Sequence, residues 1–229
     1  MSREFNNGSG TKVLAQKADF LLNEVKHKLD FGPIAEHRKR RAQFHIEEIE
    51  IMKEIAPRAC ILDIGCGKGY VGGELKSKDE SLDIFSVDLG DRPTKRMRKI
   101  TSETFSMADA SVLPFPDKSF DGVMVFFVMH HMPTNTQLKL LKEAKRVVKQ
   151  EGHIFVLEDT VPEFDNSQLE ITEKADKRFN PDFFLNKPHN FRSENKWNEV
   201  FCDLGLTLQR TVNYRSGKVP HTFFLLSRK

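Results

Sequence analysis

The chain has 229 residues, 38% of them hydrophobic and 30% charged, enough apolar material for one good core and too little length for two full domains. Net charge is only +3, so any affinity for phosphates would rest on local basic clusters. Three cysteines without paired spacing, and no signal-like apolar segment, point to a reducing cytoplasmic interior; Cys60, Cys66 and Cys202 read as small buried or loop residues, and no zinc site is suggested. The longest apolar runs are too short to span a bilayer.

Two helices are expected first, over Val13 to Leu29 and Ala35 to Ile55, the second carrying Phe44, Ile46, Ile49 and Met52 at roughly helical intervals. The stretch Ile61 to Tyr70, ILDIGCGKGY, then reads as a buried strand running into a tight turn with Asp63 at its carboxyl end. Gly65, Gly67 and Gly69 are needed there because the chain must take positive φ and leave its backbone bare to a ligand. The spacing excludes two phosphate-binding alternatives. A dinucleotide fingerprint would need glycine at Tyr70, and a P-loop would need glycine at Leu62 and a hydroxyl residue at Gly69.

A helix over Tyr70 to Lys78 and a strand over Ser81 to Val87 follow, with Asp88 at the strand end about 20 residues past the turn, the offset at which an acidic side chain meets a ribose. Phe105 to Met107 is a short third strand and Asp121 to Val128 a buried fourth. Thr134 to Glu151 is the strongest helix signal: Pro133 blocks earlier continuation, Thr134 with Gln137 forms a capping box, and Gly152 stands where the helix should stop. Ile154 to Leu157 makes a fifth strand. Glu158 to Arg192 then breaks the rhythm, being polar and carrying Phe164, Phe179, Phe183, Phe184 and Phe191. Ser193 caps a helix through Leu204, Gly205 ends it, and Leu206 to Tyr214 with Val219 to Leu226 form a hairpin around Ser216-Gly217.

This alternation predicts an α/β fold: a doubly wound, mostly parallel seven-stranded sheet with a C-terminal antiparallel hairpin. Residues 1–57 form an N-terminal helical extension on a core of 58–229, within which 159–192 is a candidate substrate lid. Ligands of such sheets lie outside the carboxyl ends of the strands, where strand order reverses. Asp63, Asp88, Asp109 and Phe126 to His131 all fall at such ends.

The D-x-G-x-G-x-G turn from Asp63 to Gly69, Asp88, and the A-D-A-x-x-L-P-F-P-x-x-S-F-D run from Ala108 to Asp121 together resemble the class I S-adenosylmethionine-dependent methyltransferases, in the broad subfamily that includes quinone-biosynthesis enzymes. The resemblance covers roughly Arg58 to Leu157. It implies S-adenosylmethionine as cofactor, with S-adenosylhomocysteine as product, held by Asp63, Gly65, Cys66, Gly67, Gly69, Asp88, Leu89, Asp109, Ala110 and Phe126. Asp88 would accept from the ribose hydroxyls, Asp109 from the adenine amino group, and the Ala110 amide would face a ring nitrogen. A polar side chain is common at position 126, so Phe126 would act through its carbonyl. The N-terminal helices would pack over the methionine end.

Transfer from a sulfonium needs alignment and exclusion of water, and needs a base only where the acceptor has a proton to lose. His130 and His131 follow the fourth strand directly and are the candidates; the same pair also suits a structural or cofactor-shaping role. Val125-Phe126-Phe127 stands where related enzymes that methylate exocyclic or amide nitrogens carry Asn/Asp-Pro-Pro-aromatic, which argues against adenine-N6 and glutamine-amide acceptors. The absence of a Pro-Cys pair argues against cytosine-C5 chemistry. The expected activity is methyl transfer to a small organic acceptor. Basic clusters at 37–41 and 92–99 keep an RNA or protein acceptor open, and a non-catalytic S-adenosylmethionine-binding partner subunit is the other alternative.

Overall fold

The computed structural model describes residues 33–89, 104–179 and 189–229. The helix expected over 13–29, the basic segment 92–99, and Phe183 and Phe184 lie outside the described residues. Seven strands, β1 (Cys60–Ile64), β2 (Asp83–Asp88), β3 (Phe105–Met107), β4 (Phe120–Phe126), β5 (Val148–Asp159), β6 (Leu206–Ser216) and β7 (Val219–Arg228), form one sheet in the order β3-β2-β1-β4-β5-β7-β6. Pairing is parallel from β3 through β5, and β7 runs antiparallel to both its neighbours. The expected sheet and hairpin are therefore present.

Among the described residues the helices are α1 (Pro33–Glu48), α2 (Tyr70–Lys78), α3 (Thr134–Val147), α4 (Asn166–Phe179) and α5 (Glu194–Asp203). Both faces of the sheet are covered, which is why the central strands read as continuous apolar runs. In β4, Val123 and Val125 pack with Leu140, Leu141 and Ala144 of α3 and with Trp197 and Phe201 of α5. Met124 and Phe126, pointing the other way, pack with Ile46 of α1 and Leu75 of α2.

Several expected boundaries shift for identifiable reasons. The helix expected over 35–55 ends at Glu48, and Glu50 turns left-handed (φ 51°) into a 3₁₀ turn at Ile51–Lys53. Ile49 and Ile51 are both completely buried, and residues two apart cannot share one face of an α-helix. The chain must break between them.

The capping box on α3 does not form. Pro133 is the N-cap and no side chain caps the helix; Gln137 is buried and donates to the carbonyls of Met129 (2.8 Å), Met132 (3.3 Å) and Asn190 (3.3 Å). Nor does Gly152 stop the helix. Val148 already has extended backbone and starts β5, and Gly152 sits where β5 passes β4 at a register shift. A Cβ there would lie 2.6 Å from the Asp121 carbonyl oxygen.

The segment expected to be irregular after β5 contains α4. Asp165 caps it, its carboxylate accepting from the Gln168 amide at 2.9 Å. Among the residues of this helix whose burial is described, the buried ones are Gln168, Thr172 and Asp176, spaced four apart, so the face turned inward there is polar and leaves no hydrophobic period to read. α5 begins as expected, with Ser193 Oγ accepting from the Lys196 amide and Gly205 left-handed just beyond its end. Cys202, expected to be buried or in a loop, is exposed on α5.

Gly152→Ala is expected to destabilise the protein by about 1–3 kcal/mol through overpacking against the Asp121 backbone. Urea denaturation measures this, and an unchanged midpoint would contradict the close approach.

Candidate active site

Strand order reverses between β1 and β4, and their carboxyl ends carry the glycine turn and the Phe127–His131 segment. The two are pressed together: a Cβ on Gly65 would lie 2.4 Å from a Val128 methyl. Gly65, Gly67 and Gly69 all have positive φ (70°, 52° and 72°), as their spacing led one to expect. The amides of Gly65 and Cys66 both donate to the Val87 carbonyl, at 2.8 and 3.1 Å. The Gly67 amide donates to Asp88 Oδ2 at 2.8 Å, and no atom lies within 4 Å of where a Gly67 Cβ would stand. The turn is thus fixed to β2 on one side and open on the other, the cradle a nucleoside cofactor requires.

Beneath it, Asp63 is buried, and its Oδ2 has no hydrogen-bond partner. Burial, then the nearby Asp88 charge, pushes its carboxyl up to about 7, offset in part by a hydrogen bond from the Gly72 amide. Burial and the same two carboxylates push the Cys66 thiol up, so it is held un-ionised. Leu89, just after β2, is 68% exposed. Asp109 is exposed after β3, its carboxylate accepting from the Ser111 amide at 2.8 Å and held below the usual range by Ser111. Ala110 is buried. The Phe126 side chain lies in the core with α1 and α2, so only its backbone is available to a ligand.

The opposite wall is organised by a residue that local motifs did not single out. Glu158, at the end of β5 and completely buried, accepts from the Val128 and Met129 amides (3.0 and 2.7 Å) and pairs with His130 Nδ1 at 2.6 Å. Burial alone would lower the His130 pKa, but Glu158 more than compensates and lifts it to about 9. Burial, then the charges on His130 and His189, holds His131 down to about 3. His130, His131 and Asp176 of α4 bring one ligand atom each within 4.8 Å of one another.

A second polar cluster lies alongside. β7 runs backward, so its first residues reach the carboxyl end of β5, where His221 pairs with Asp159. His221 Nδ1 is 2.7 Å from Asp159 Oδ1, and its Nε2 is buried without a hydrogen-bond partner. Next to it, His45 Nδ1 is 2.7 Å from the Tyr214 hydroxyl, and the His45 ring packs against those of His221 (5.0 Å) and Phe127 (4.8 Å). Arg41 of α1, one of the 37–41 basic cluster, is half-buried and is drawn electrostatically toward Asp159 and Asp176. That cluster is therefore not a uniformly solvated face.

A doubly wound sheet with an open glycine cradle beside a strand-end aspartate defines a nucleoside-binding α/β domain. Residues 62–156 match the family model described as "Methyltransferase domain". The chain is 32% identical to the demethylmenaquinone methyltransferase of Thermotoga maritima over 146 residues, 63% of this chain and 58% of that protein. It is 29% identical to a ubiquinone/menaquinone biosynthesis C-methyltransferase of Geotalea daltonii over 160 residues, 66% and 62% of the two chains. It thus spans about three-fifths of the length of these relatives. Among solved structures, the magnesium protoporphyrin IX methyltransferase of Synechocystis with bound S-adenosylhomocysteine superposes with a TM-score of 0.61 at 14% identity, covering 83% of each chain. A Methanosarcina mazei S-adenosylmethionine-dependent methyltransferase gives 0.59 at 16%, covering 78% of this chain and 96% of that one. Residues 62–156 thus match a methyltransferase domain, and the sheet has the fold that these methyltransferase structures share.

Because the Asp63 carboxyl is raised above its unfolded value, its contribution to stability is complete below about pH 4 and is lost as pH rises through about 7. Asp63→Asn keeps an oxygen for the Gly72 amide and removes the charge. Its melting temperature is expected to fall less than that of the wild type between pH 5 and about pH 8, in paired thermal scans; parallel losses would refute the assignment.

Proposed function

We propose that the protein transfers a methyl group from S-adenosylmethionine to a small, ring-bearing organic acceptor, in the crevice between β1 and β4, and works in the cytoplasm. The observation that carries this reading is the Gly67 amide bonded to Asp88 beside an open backbone. That bond holds the Asp88 carboxylate at the strand end, where it would accept from the ribose hydroxyls. Gly65, Cys66 and Gly69 shape the turn, and Asp63 beneath it supplies negative charge toward a cationic ligand. Leu89 offers apolar surface to the adenine ring, Asp109 accepts from its amino group, the Ala110 amide meets a ring nitrogen, and the Phe126 carbonyl serves the methionine amino group.

When bound, the cofactor supplies an activated methyl carbon that needs only an in-line acceptor. The chain's contribution is positioning and exclusion of water. Phe127, Phe44, Tyr214, His45 and His221 pack ring against ring, edge to face or tilted, at the end of β4, a wall suited to a planar ring. The quinone methyltransferases among the relatives are consistent with this. His130 and His131, tied down by Glu158 and Asp176, serve to shape this end. Where an acceptor hydroxyl must lose its proton, His221 receives it on Nε2, with Asp159 fixing the ring through Nδ1. Residues 159–192, including α4, would cover the acceptor. The inward-facing Arg41 favours a small acceptor over RNA. No helix among the described residues is long and apolar enough to cross a membrane.

Asp88→Ala is expected to weaken binding of S-adenosylmethionine by about 1.5–3 kcal/mol in calorimetry, the range for hydrogen bonds involving a charged group. Wild-type affinity in that variant would remove the ribose role. His221→Ala is expected to slow methyl transfer by about 10²-fold or more with S-adenosylhomocysteine affinity unchanged. Incubation with methyl-labelled donor and a panel of hydroquinones and phenols is the direct test, and no label in any acceptor would count against the reading.

A further inference from the structure

The histidine pair after β4, which shapes the acceptor end, and the polar face of α4 converge on one point. We propose that His130, His131 and Asp176 form a binding site for one divalent transition-metal cation of the imidazole-preferring class, such as zinc.

The donor set comes first. His131 Nδ1 lies 3.7 Å from Asp176 Oδ2 and His130 Nε2 lies 3.9 Å from the same oxygen. Ligands bound at about 2.0–2.1 Å in tetrahedral array stand about 3.4 Å apart, so the two histidine–aspartate pairs must draw in by about half an ångström, and all three atoms already lie within 4.8 Å of one another. Two imidazoles and a carboxylate are a transition-metal set rather than a magnesium or calcium set.

The ligand atoms are also presented by a built outer shell. His130 gives Nδ1 to Glu158 at 2.6 Å, which aims Nε2 inward. That Nε2 is buried and makes no hydrogen bond. A carboxylate behind the ring and a bare nitrogen in front is how proteins orient a metal-binding histidine. His189 Nε2 lies 2.8 Å from the same Asp176 Oδ2, so three imidazole nitrogens stand within 4 Å of that oxygen. His130 and His189 both stack with the Phe191 ring, at 4.9 and 5.1 Å.

Charge points the same way. Glu158, Asp159 and Asp176 are all buried, with Arg41 the cation drawn toward the two aspartates. Burying several carboxylates together is costly unless cations meet them; His130 and His221 pair with Glu158 and Asp159, and a divalent ion on Asp176 would add to that positive charge. The three ligands come from the turn after β4 and from α4, so the ion would fasten the helix preceding the 180s to the sheet. With three protein ligands, at least one coordination position remains for another donor.

The test uses the full chain freed of metal by chelation and then titrated with Zn²⁺ and Co²⁺. Expected are saturable binding of one equivalent, a visible Co²⁺ absorption of low-symmetry sites, and a rise in melting temperature. Asp176→Asn and His131→Ala should each weaken metal binding at least tenfold while S-adenosylhomocysteine affinity stays within twofold, which separates this site from the cofactor site. Absence of saturable binding, or undiminished binding in both variants, would overturn the proposal. Should either variant fail to fold, ¹⁵N spectra of wild-type histidines decide: one equivalent of Zn²⁺ must shift the ring nitrogens of His130 and His131 and leave His153 unmoved, and the reverse result defeats it.

Discussion

The arrangement at the reaction end of the sheet depends on one buried carboxylate. Glu158 accepts from two consecutive amides, Val128 and Met129, and from His130 on the same turn. Those amides follow Phe127, whose left-handed backbone lifts the chain out of β4, so no strand neighbour is available to satisfy them. Leaving two amides and an imidazole buried and unmet would cost several kcal/mol, each at about 1–3 kcal/mol. The charge on Glu158 converts that liability into a fastening, and the fastened turn is what presses Val128 onto Gly65. Cradle and acceptor wall therefore meet because of a residue that belongs to neither.

The rest of the wall is stitched to the same turn. Gln137 bonds the Met129 and Met132 carbonyls and accepts from Arg192 at 2.9 Å, while the Asn190 amide donates to the His130 carbonyl at 2.8 Å. Val161 donates to the Arg192 carbonyl, so the stretch after residue 188 is clipped back to the end of β5. A network this extensively shared behaves as one unit, and substitutions within it will be strongly non-additive.

What was legible in the sequence follows from the range over which each feature is encoded. The glycine turn, Asp88, the short third strand, the Ser193 cap and the hairpin are written in a few consecutive residues, and each stands where its local chemistry placed it. The polar centre was not legible because its members are distant in the chain: His130 and Glu158 are 28 residues apart, His221 and Asp159 are 62 apart, and His45 and Tyr214 are 169 apart. α4 escaped notice for a different reason. Its buried face is Gln168, Thr172 and Asp176, and a hydrophobic period cannot announce a helix whose inward side binds polar partners. Gln137 and Gly152 show the converse error: each carries a local signal for helix termini, and each is used instead for a tertiary contact.

The reversed direction of β7 has an effect on how this enzyme class can diversify. In a purely parallel sheet every new side chain at the working edge must arrive at the end of a strand and its returning helix. Here a hairpin folds back and delivers Tyr214 and His221 to that edge from a segment with no part in the nucleoside cradle. On the proposed reading, exchange of a few hairpin residues would retune which molecule is accepted while the donor half is left untouched, so the two halves would be free to change at different rates.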